Sequence, residues 1–357
     1  MTGATGTVDG MTFRAGSTWR RAGAVAMAVV AAGALAACSS SKTSSGASAG
    51  TSGGSGSGIK IGVVEQQIAN PFFLTIENTA AAEAKKLGAS VITAQSTTAG
   101  DSATQVNAIE DMINRGVKGI VVDPANASAL VGVIKQARDK GILVIAVNTE
   151  TSPVTAVDAT IETDNLAAGK LVGQWAKATV GSKPPKVALL DYDLTDRTSK
   201  ARHDGFLAGF GITQNSAEVV AEKQTDASVS GGQSAMENIL QAHKDINVVY
   251  GINEPMAQGA YAALAGQNLQ KQATIVGIDG SCSGVAAVKN GQIGATVMQF
   301  PTKMGAMAVD AIVQFAKDGT KPSGVINSGT VLITDKPVAG LQSQNTTWGA
   351  ANCWGTK

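Results

Sequence analysis

Residues 103–150 read "ATQVNAIEDMINRGVKGIVVDPANASALVGVIKQARDKGILVIAVNTE". Two amphipathic stretches, "ATQVNAIEDMINRG" and "ASALVGVIKQARDKG", each stop at a glycine, and each precedes a short apolar run, "GIVVDP" and "LVIAVN". One apolar helical face ending in Gly predicts a helix. A run of about five apolar residues without alternation predicts a strand buried on both faces, as parallel strands are. Helix, strand, helix, strand in this order predicts a parallel sheet covered by helices on both sides.

The rhythm extends outward in both directions. "IKIGVV" and "SVITAQ" come before it; "KVALLDY", "EVVAEK", "NVVYGIN" and "TIVGID" follow, with "GGQSAMENILQAHKD" as a further helix. The series breaks around residues 155–165 and resumes unchanged, which predicts an α/β protein of two similar lobes. A chain of 357 residues has room for both.

Charge is balanced, 28 Lys and Arg against 27 Asp and Glu with no run of one sign. That leaves no basic stripe of the kind nucleic-acid binders carry. Before the rhythm starts, Trp19-Arg20-Arg21 leads into "AGAVAMAVVAAGALAAC", a basic region, an apolar region and a small-residue cleavage zone. This predicts an export signal over residues 1–37, too short to span a bilayer, which needs about 20 apolar residues. The ending "LAAC" resembles a bacterial lipobox, which implies that Cys38 is lipidated and anchors the chain to the outer face of the cell membrane. Residues 38–58 continue as a Ser/Gly-rich tether with no apolar anchor. Three arginines and one aspartate leave with the signal, so the net charge passes from +1 to −1. Cys282 and Cys353 remain, and two cysteines in an exported chain suggest one disulfide, the alternative being two free thiols.

In open parallel sheets, ligands sit beyond the carboxyl ends of the strands. Those positions carry Glu65, Gln66, Gln67, Asn70, Phe72 and Phe73 after the first run, then Asp123 and Asn126, and Asn148 and Thr149. In the second half they carry Asp191, Tyr192 and Asp193, then Asn253 and Glu254, Asp279 and Gln299. Amides and carboxylates form paired hydrogen bonds, and aromatic faces cover the C–H side of a sugar ring. The set suits a neutral polyhydroxylated molecule held between lobes. No Cys/His metal cluster stands there. His203 and His243 have no partner at metal-ligand spacing, so no metal or cofactor is expected.

The motifs "ANPFF", "TDNLAAGK", "ARHDGFLAGF", "YGINEPMAQGA", "IVGIDGSCSG" and "ATVMQFP" resemble, in the same order, those of the pentose- and hexose-binding proteins of bacterial ABC importers, the type I periplasmic binding proteins. The resemblance covers residues 59–357 and is strongest to the fructose-binding members, in "RHDGFLAGFGI", "DINVVYGINEP", "LITDKP" and the Cys-Trp-Gly tail. It implies two Rossmann-like lobes joined by a three-segment hinge, 59–163 with 300–328 and 164–299 with 329–357. It also implies a monomer that closes on one monosaccharide and delivers it to a membrane permease, with no enzymatic activity.

Carried over motif by motif, the resemblance implies that Asn70 bonds sugar hydroxyls and that Phe72 and Phe73 sandwich the ring. Arg202 would fork onto ring oxygens, and Asn253, Asp279 and Gln299 would complete the set. Asn148 stands in the same site, with Gln66 and Tyr192 as further candidates. Asn148-Thr149 replaces the Asp-Arg of ribose binders, and Ala227 replaces a stacking Phe, for which Tyr192 is a substitute. Both changes point away from ribose and toward a hexose, fructose first, with other hexoses, pentoses and polyols behind it.

Plainer readings stand beside these. Phe72 and Phe73 can be core, Arg202 a surface cation and Asp279 a turn former. Asp123-Pro124 and Asp164-Asn165 read as turn and cap residues, and Trp348 and Trp354 as packing for the tail. A hydrolase would need a catalytic carboxylate pair or a nucleophile elbow, and neither appears as a motif. A sugar-responsive repressor would need an N-terminal helix-turn-helix, where this chain has its export signal. A sensor subunit that hands its closed form to a membrane receptor remains compatible.

Overall fold

The computed structural model describes residues 58–98 and 100–356. The export signal, Cys38 and the tether up to residue 57 lie outside the described residues.

The chain begins with β1 (Lys60–Glu65), α1 (Pro71–Lys86), β2 (Ser90–Gln95), α2 (Ser102–Asn114), β3 (Gly119–Val122), α3 (Val131–Asp139), β4 (Leu143–Val147), a 3-10 turn at Val154–Ala156 and β5 (Ala159–Glu162). It continues through α4 (Asn165–Thr179), β6 (Val187–Asp191), α5 (Arg197–Phe210), β7 (Val219–Gln224), α6 (Val229–Ala242), β8 (Val248–Gly251), α7 (Glu254–Gly266), β9 (Thr274–Asp279), α8 (Cys282–Lys289) and β10 (Ala295–Met298). The last elements are α9 (Pro301–Asp318), β11 (Gly324–Asn327), β12 (Val331–Ile333) and α10 (Thr346–Asn352).

Two six-stranded sheets result, ordered β11-β5-β4-β3-β1-β2 and β12-β10-β9-β8-β6-β7. Every pairing in the first is parallel. In the second, β12 runs antiparallel to β10 at the edge, an exception to the all-parallel expectation. The fold is therefore two α/β lobes, as the repeated rhythm indicated. The chain passes from the first sheet to the second after Glu162, returns after Met298 and leaves again between Asn327 and Val331.

β3 and β4 are buried along their whole length, which explains their unbroken apolar runs. Edge strand β2 alternates and is half exposed. The second core is built on Trp175, Phe206 and Tyr250, with Phe206 stacked on Tyr250 at 4.4 Å between ring centroids. Burial of an apolar side chain of this size contributes roughly 1.5–3 kcal/mol.

α4 and α5 meet backbone to backbone. A Cβ on Gly169 would lie 2.1 Å from the Arg202 carbonyl oxygen, and one on Gly205 would lie 2.3 Å from that of Leu166. Only glycine lets two helices approach so closely, and the approach fixes the height of Arg202 above the second sheet.

Candidate functional site

The carboxyl ends of β1, β3, β4, β6, β8, β9 and β10 border one cleft of about 440 Å³. Gln66, Asn70, Phe72, Phe73, Asn148, Tyr192, Arg202, Asn253, Asp279 and Gln299 all line it. A volume of this size falls in the range usual for small-molecule sites.

On the first-lobe side, Asn70 caps α1, its Oδ1 accepting from the Phe72 amide at 2.9 Å. Pro71 at the first helical position reinforces that start. The cap leaves both Nδ2 hydrogens of Asn70 free of this bond. Phe72 is 5% exposed and Phe73 half-buried, their centroids 5.8 Å apart and their planes at 89°. Two rings in edge contact leave no slot between them, so they cannot sandwich a sugar. They form a corner of the cleft wall instead.

Gln66 Nε2 and Asn148 Nδ2 each donate to the Asp123 carboxylate at 3.0 Å. Asp123 is thus more than a turn residue: it is fully buried and orients both amides from beneath. Burial pushes its carboxyl up to about 7, against the hydrogen bonds from Gln66, Thr149 and Asn148. Asn148 holds φ +60°, a left-handed conformation that Asn tolerates better than most residues.

On the second-lobe side, Arg202 is 7% exposed. Its Nε donates to Asn165 Oδ1 at 2.8 Å and its Nη1 to the Ile252 carbonyl at 3.4 Å. Asn165, read as a cap residue, therefore positions the guanidinium. Gln299 Nε2 donates to Asp279 Oδ1 at 2.9 Å. Burial raises the Asp279 carboxyl, while Arg202 and Gln299 hold it back. Gln299 Oε1 is buried without a partner among the described residues. Gln299 accordingly acts here as a support for Asp279.

Asn253 caps α7, its Oδ1 accepting from the Met256 amide at 3.0 Å while Nδ2 donates to the Ala227 carbonyl at 2.9 Å. One amide hydrogen and one lone pair remain for a ligand. Tyr192 and Ala227 both line the cleft, and Tyr192 is 41% exposed.

Some participants were not recognisable as such in the sequence. Glu254, 1% exposed, accepts from the Gly280 amide at 2.8 Å, the Ser281 amide at 3.0 Å, Thr296 Oγ1 at 2.7 Å and Ser281 Oγ. It shapes the loop that carries Asp279, and burial followed by the charge of Asp279 raises its own carboxyl. Trp354 does pack the tail, but it does so at the cleft, which it lines. The readable signal was the cysteine pair: Cys282 and Cys353 form a disulfide with 4.9 Å between Cα atoms, which brings residue 354 to the loop after Asp279.

His203 is not isolated as expected. It is buried, with Nδ1 3.1 Å from Asp191 Oδ2. Asp191, His203 and Glu222 each bring a donor atom within 4.8 Å of the others. Burial lowers the imidazole's proton affinity, but the hydrogen bond to the Asp191 carboxylate and the surrounding acids outweigh it, and the net shift is upward.

Two parallel-sheet lobes with a polar and aromatic cleft between their strand ends define a class: solute-binding proteins. The sequence profile of the periplasmic binding protein domain matches residues 61–321. This chain belongs to that family, whose members bind solutes and are not enzymes. It is 30% identical over 251 residues to the ribose import binding protein of Bacillus subtilis, covering 70% of this chain and 79% of that protein. To the D-allose-binding periplasmic protein of Escherichia coli it is 28% identical over 263 residues, 72% and 84% of the two chains. A crystal structure of an ABC transporter solute-binding protein from Mycobacterium smegmatis, with bound glycerol, superposes with TM-score 0.71 at 28% identity, covering 82% of this chain and 96% of that one.

Proposed function

We propose that this chain is the exported, lipid-anchored binding subunit of an ABC sugar importer, acting as a monomer that closes on one neutral monosaccharide and presents it to the permease. The observation that carries this reading is the convergence of Asn70, Phe72, Phe73, Asn148, Arg202, Asn253 and Asp279 on one cleft between the strand ends. Hydrogen-bonding amides, a forked guanidinium and a carboxylate beside aromatic rings match the edges and faces of a sugar. The three passages of the chain between the sheets serve as the hinge. Among the described residues no helix is long and apolar enough to cross a membrane. Attachment in this reading is by the lipid on Cys38, with the tether keeping the lobes near the permease.

Fructose is the first choice of ligand. Asn148-Thr149 offers a neutral pair to the sugar, and the small side chain of Ala227 lines the same cleft as Tyr192. The second reading is ribose or allose, favoured by the names of the relatives matched above. Titration calorimetry with fructose, ribose, allose, glucose, galactose, xylose and xylitol separates the two. Tight binding of fructose alone supports the first choice. Tight binding of ribose or allose replaces it, and heat from none of the sugars removes the function.

A further inference from the structure

The C-terminal tail ends its course over the cleft, and its attachments are unequal. Three ties hold Cys353-Trp354 to the second lobe. Cys353 is disulfide-bonded to Cys282, Ser281 and Trp354 form a β-bridge in which the Cys282 amide donates to the Trp354 carbonyl at 2.9 Å, and Trp354 Nε1 donates to the Asp279 carbonyl at 3.1 Å. Toward the first lobe the described residues make packing contacts only. The indole stands edge-on to Phe72, centroids 5.1 Å apart at 81°, and a Cβ on Gly355 would reach within 3.5 Å of Pro71. The tail is thus a covalent part of one lobe that rests on an aromatic corner of the other.

We propose that Trp354 is a positioning residue for ligand binding: carried by the second lobe, it docks on Phe72 as the lobes close and sets that ring against the Asp279 loop. This rests on the sugar-binding reading. When the lobes separate about the crossings, the disulfide, the bridge and the indole hydrogen bond travel together, and the packing of Trp354 and Gly355 on Phe72 and Pro71 is what the tail loses. The contact therefore belongs to the closed form, and its stabilisation adds to ligand affinity. The indole N–H fixes the height of the Asp279 backbone, and the indole edge fixes the tilt of Phe72, so one side chain sets both walls.

The test uses the purified protein with Trp354→Phe, Trp354→Ala and the double variant Cys282→Ser/Cys353→Ser. Dissociation constants for the sugar that binds the wild type are measured alongside tryptophan emission and the ligand-free melting temperature. Trp175 and Trp348 remain in every variant and report any response that does not come from Trp354. The wild type is expected to change its emission on binding, and Trp354→Phe to lose that change. Trp354→Phe should bind about 3- to 10-fold more weakly, the scale of one aromatic pair or hydrogen bond. Trp354→Ala and the disulfide variant should bind more weakly still. Trp354→Phe retains an aromatic ring and guards against a general loss of folding. A retained emission change in Trp354→Phe, or wild-type affinity in both Trp354 variants, overturns the proposal and leaves sugar binding intact. A wild type that binds no sugar removes the reading and the inference together.

Discussion

Arg202 Nη1 lies 3.6 Å from Asp279 Oδ1, an ion pair between α5 and the end of β9 that is nearly closed off from water. The distance is too long for a hydrogen bond, so the guanidinium is held by Asn165 and Ile252 and only balanced by Asp279. A ligand hydroxyl placed between them can accept from the cation and donate to the carboxylate. Arg202→Ala should abolish sugar binding and, by leaving the buried Asp279 charge uncompensated, cost about 3 kcal/mol or more of stability. Calorimetry and denaturant unfolding check the two parts separately. Unchanged affinity would place the ligand elsewhere in the cleft.

Arg202 is only as well placed as the helix that carries it. Gly169→Ala sets a methyl group 2.1 Å from the Arg202 carbonyl oxygen, which forces α4 and α5 apart. Overpacking of this kind costs about 1–3 kcal/mol. The expected result is a lowered melting temperature together with weaker sugar binding, although residue 169 does not line the cleft. Gly132 in α3, with open space around it, is the control: alanine there should leave binding unchanged and the melting temperature equal or slightly raised. Equal behaviour of the two variants would sink the argument.

The lobes were legible because parallel strands buried on both faces must be apolar throughout, as in "GIVV" and "LVIAV". The strand ends were legible because topology fixes where they point, so the sequence alone assigns Asn148, Asn253 and Asp279 to one cleft. What one-dimensional reading missed came from contacts far apart in the chain. Asp123 supporting Gln66 and Asn148 requires three loops to meet. Glu254 shaping the Asp279 loop requires α7 to start beneath β9 and β10. The relative tilt of Phe72 and Phe73 follows from helix geometry: neighbouring residues on a helix diverge by about 100°, so adjacent rings make a corner and not two parallel walls.

The Asp123 carboxyl should be visible in the pH dependence of stability. Its folded value of about 7 lies above the unfolded chain's, about 3.9. The folded state keeps the proton longer, so the contribution is fully present below about pH 4 and is lost as pH rises through about 7. Asp123→Asn cannot ionise. It also turns a donor toward Gln66 or Asn148, a penalty that does not vary with pH. From pH 4 to pH 8 the variant should therefore gain on the wild type by on the order of 4 kcal/mol. Buried acids that do not face Asp123 cancel in the comparison; Glu65, whose carboxyl is raised by burial and then by the charge of Asp123, adds to the gain of the variant in the same direction. Parallel melting curves across that range would show that Asp123 titrates normally.

The Cys282–Cys353 bridge closes a loop across a sequence separation of 71, which spans α8, β10, α9, β11, β12 and α10. A constraint on so long a loop removes unfolded-state freedom worth about 4 kcal/mol in the chain-entropy account. The enclosed segment also carries the chain into the first lobe and back, so the bridge restrains both lobes at once. Cys282→Ser/Cys353→Ser should lower the unfolding midpoint without changing the fold, as read by far-ultraviolet circular dichroism. Reduction of the wild type should do the same, and should do nothing further to the variant. A variant as stable as the oxidised wild type would mean that the segment is held as firmly by its packing, through Ile333, Met298 and Val285, as by the covalent bond.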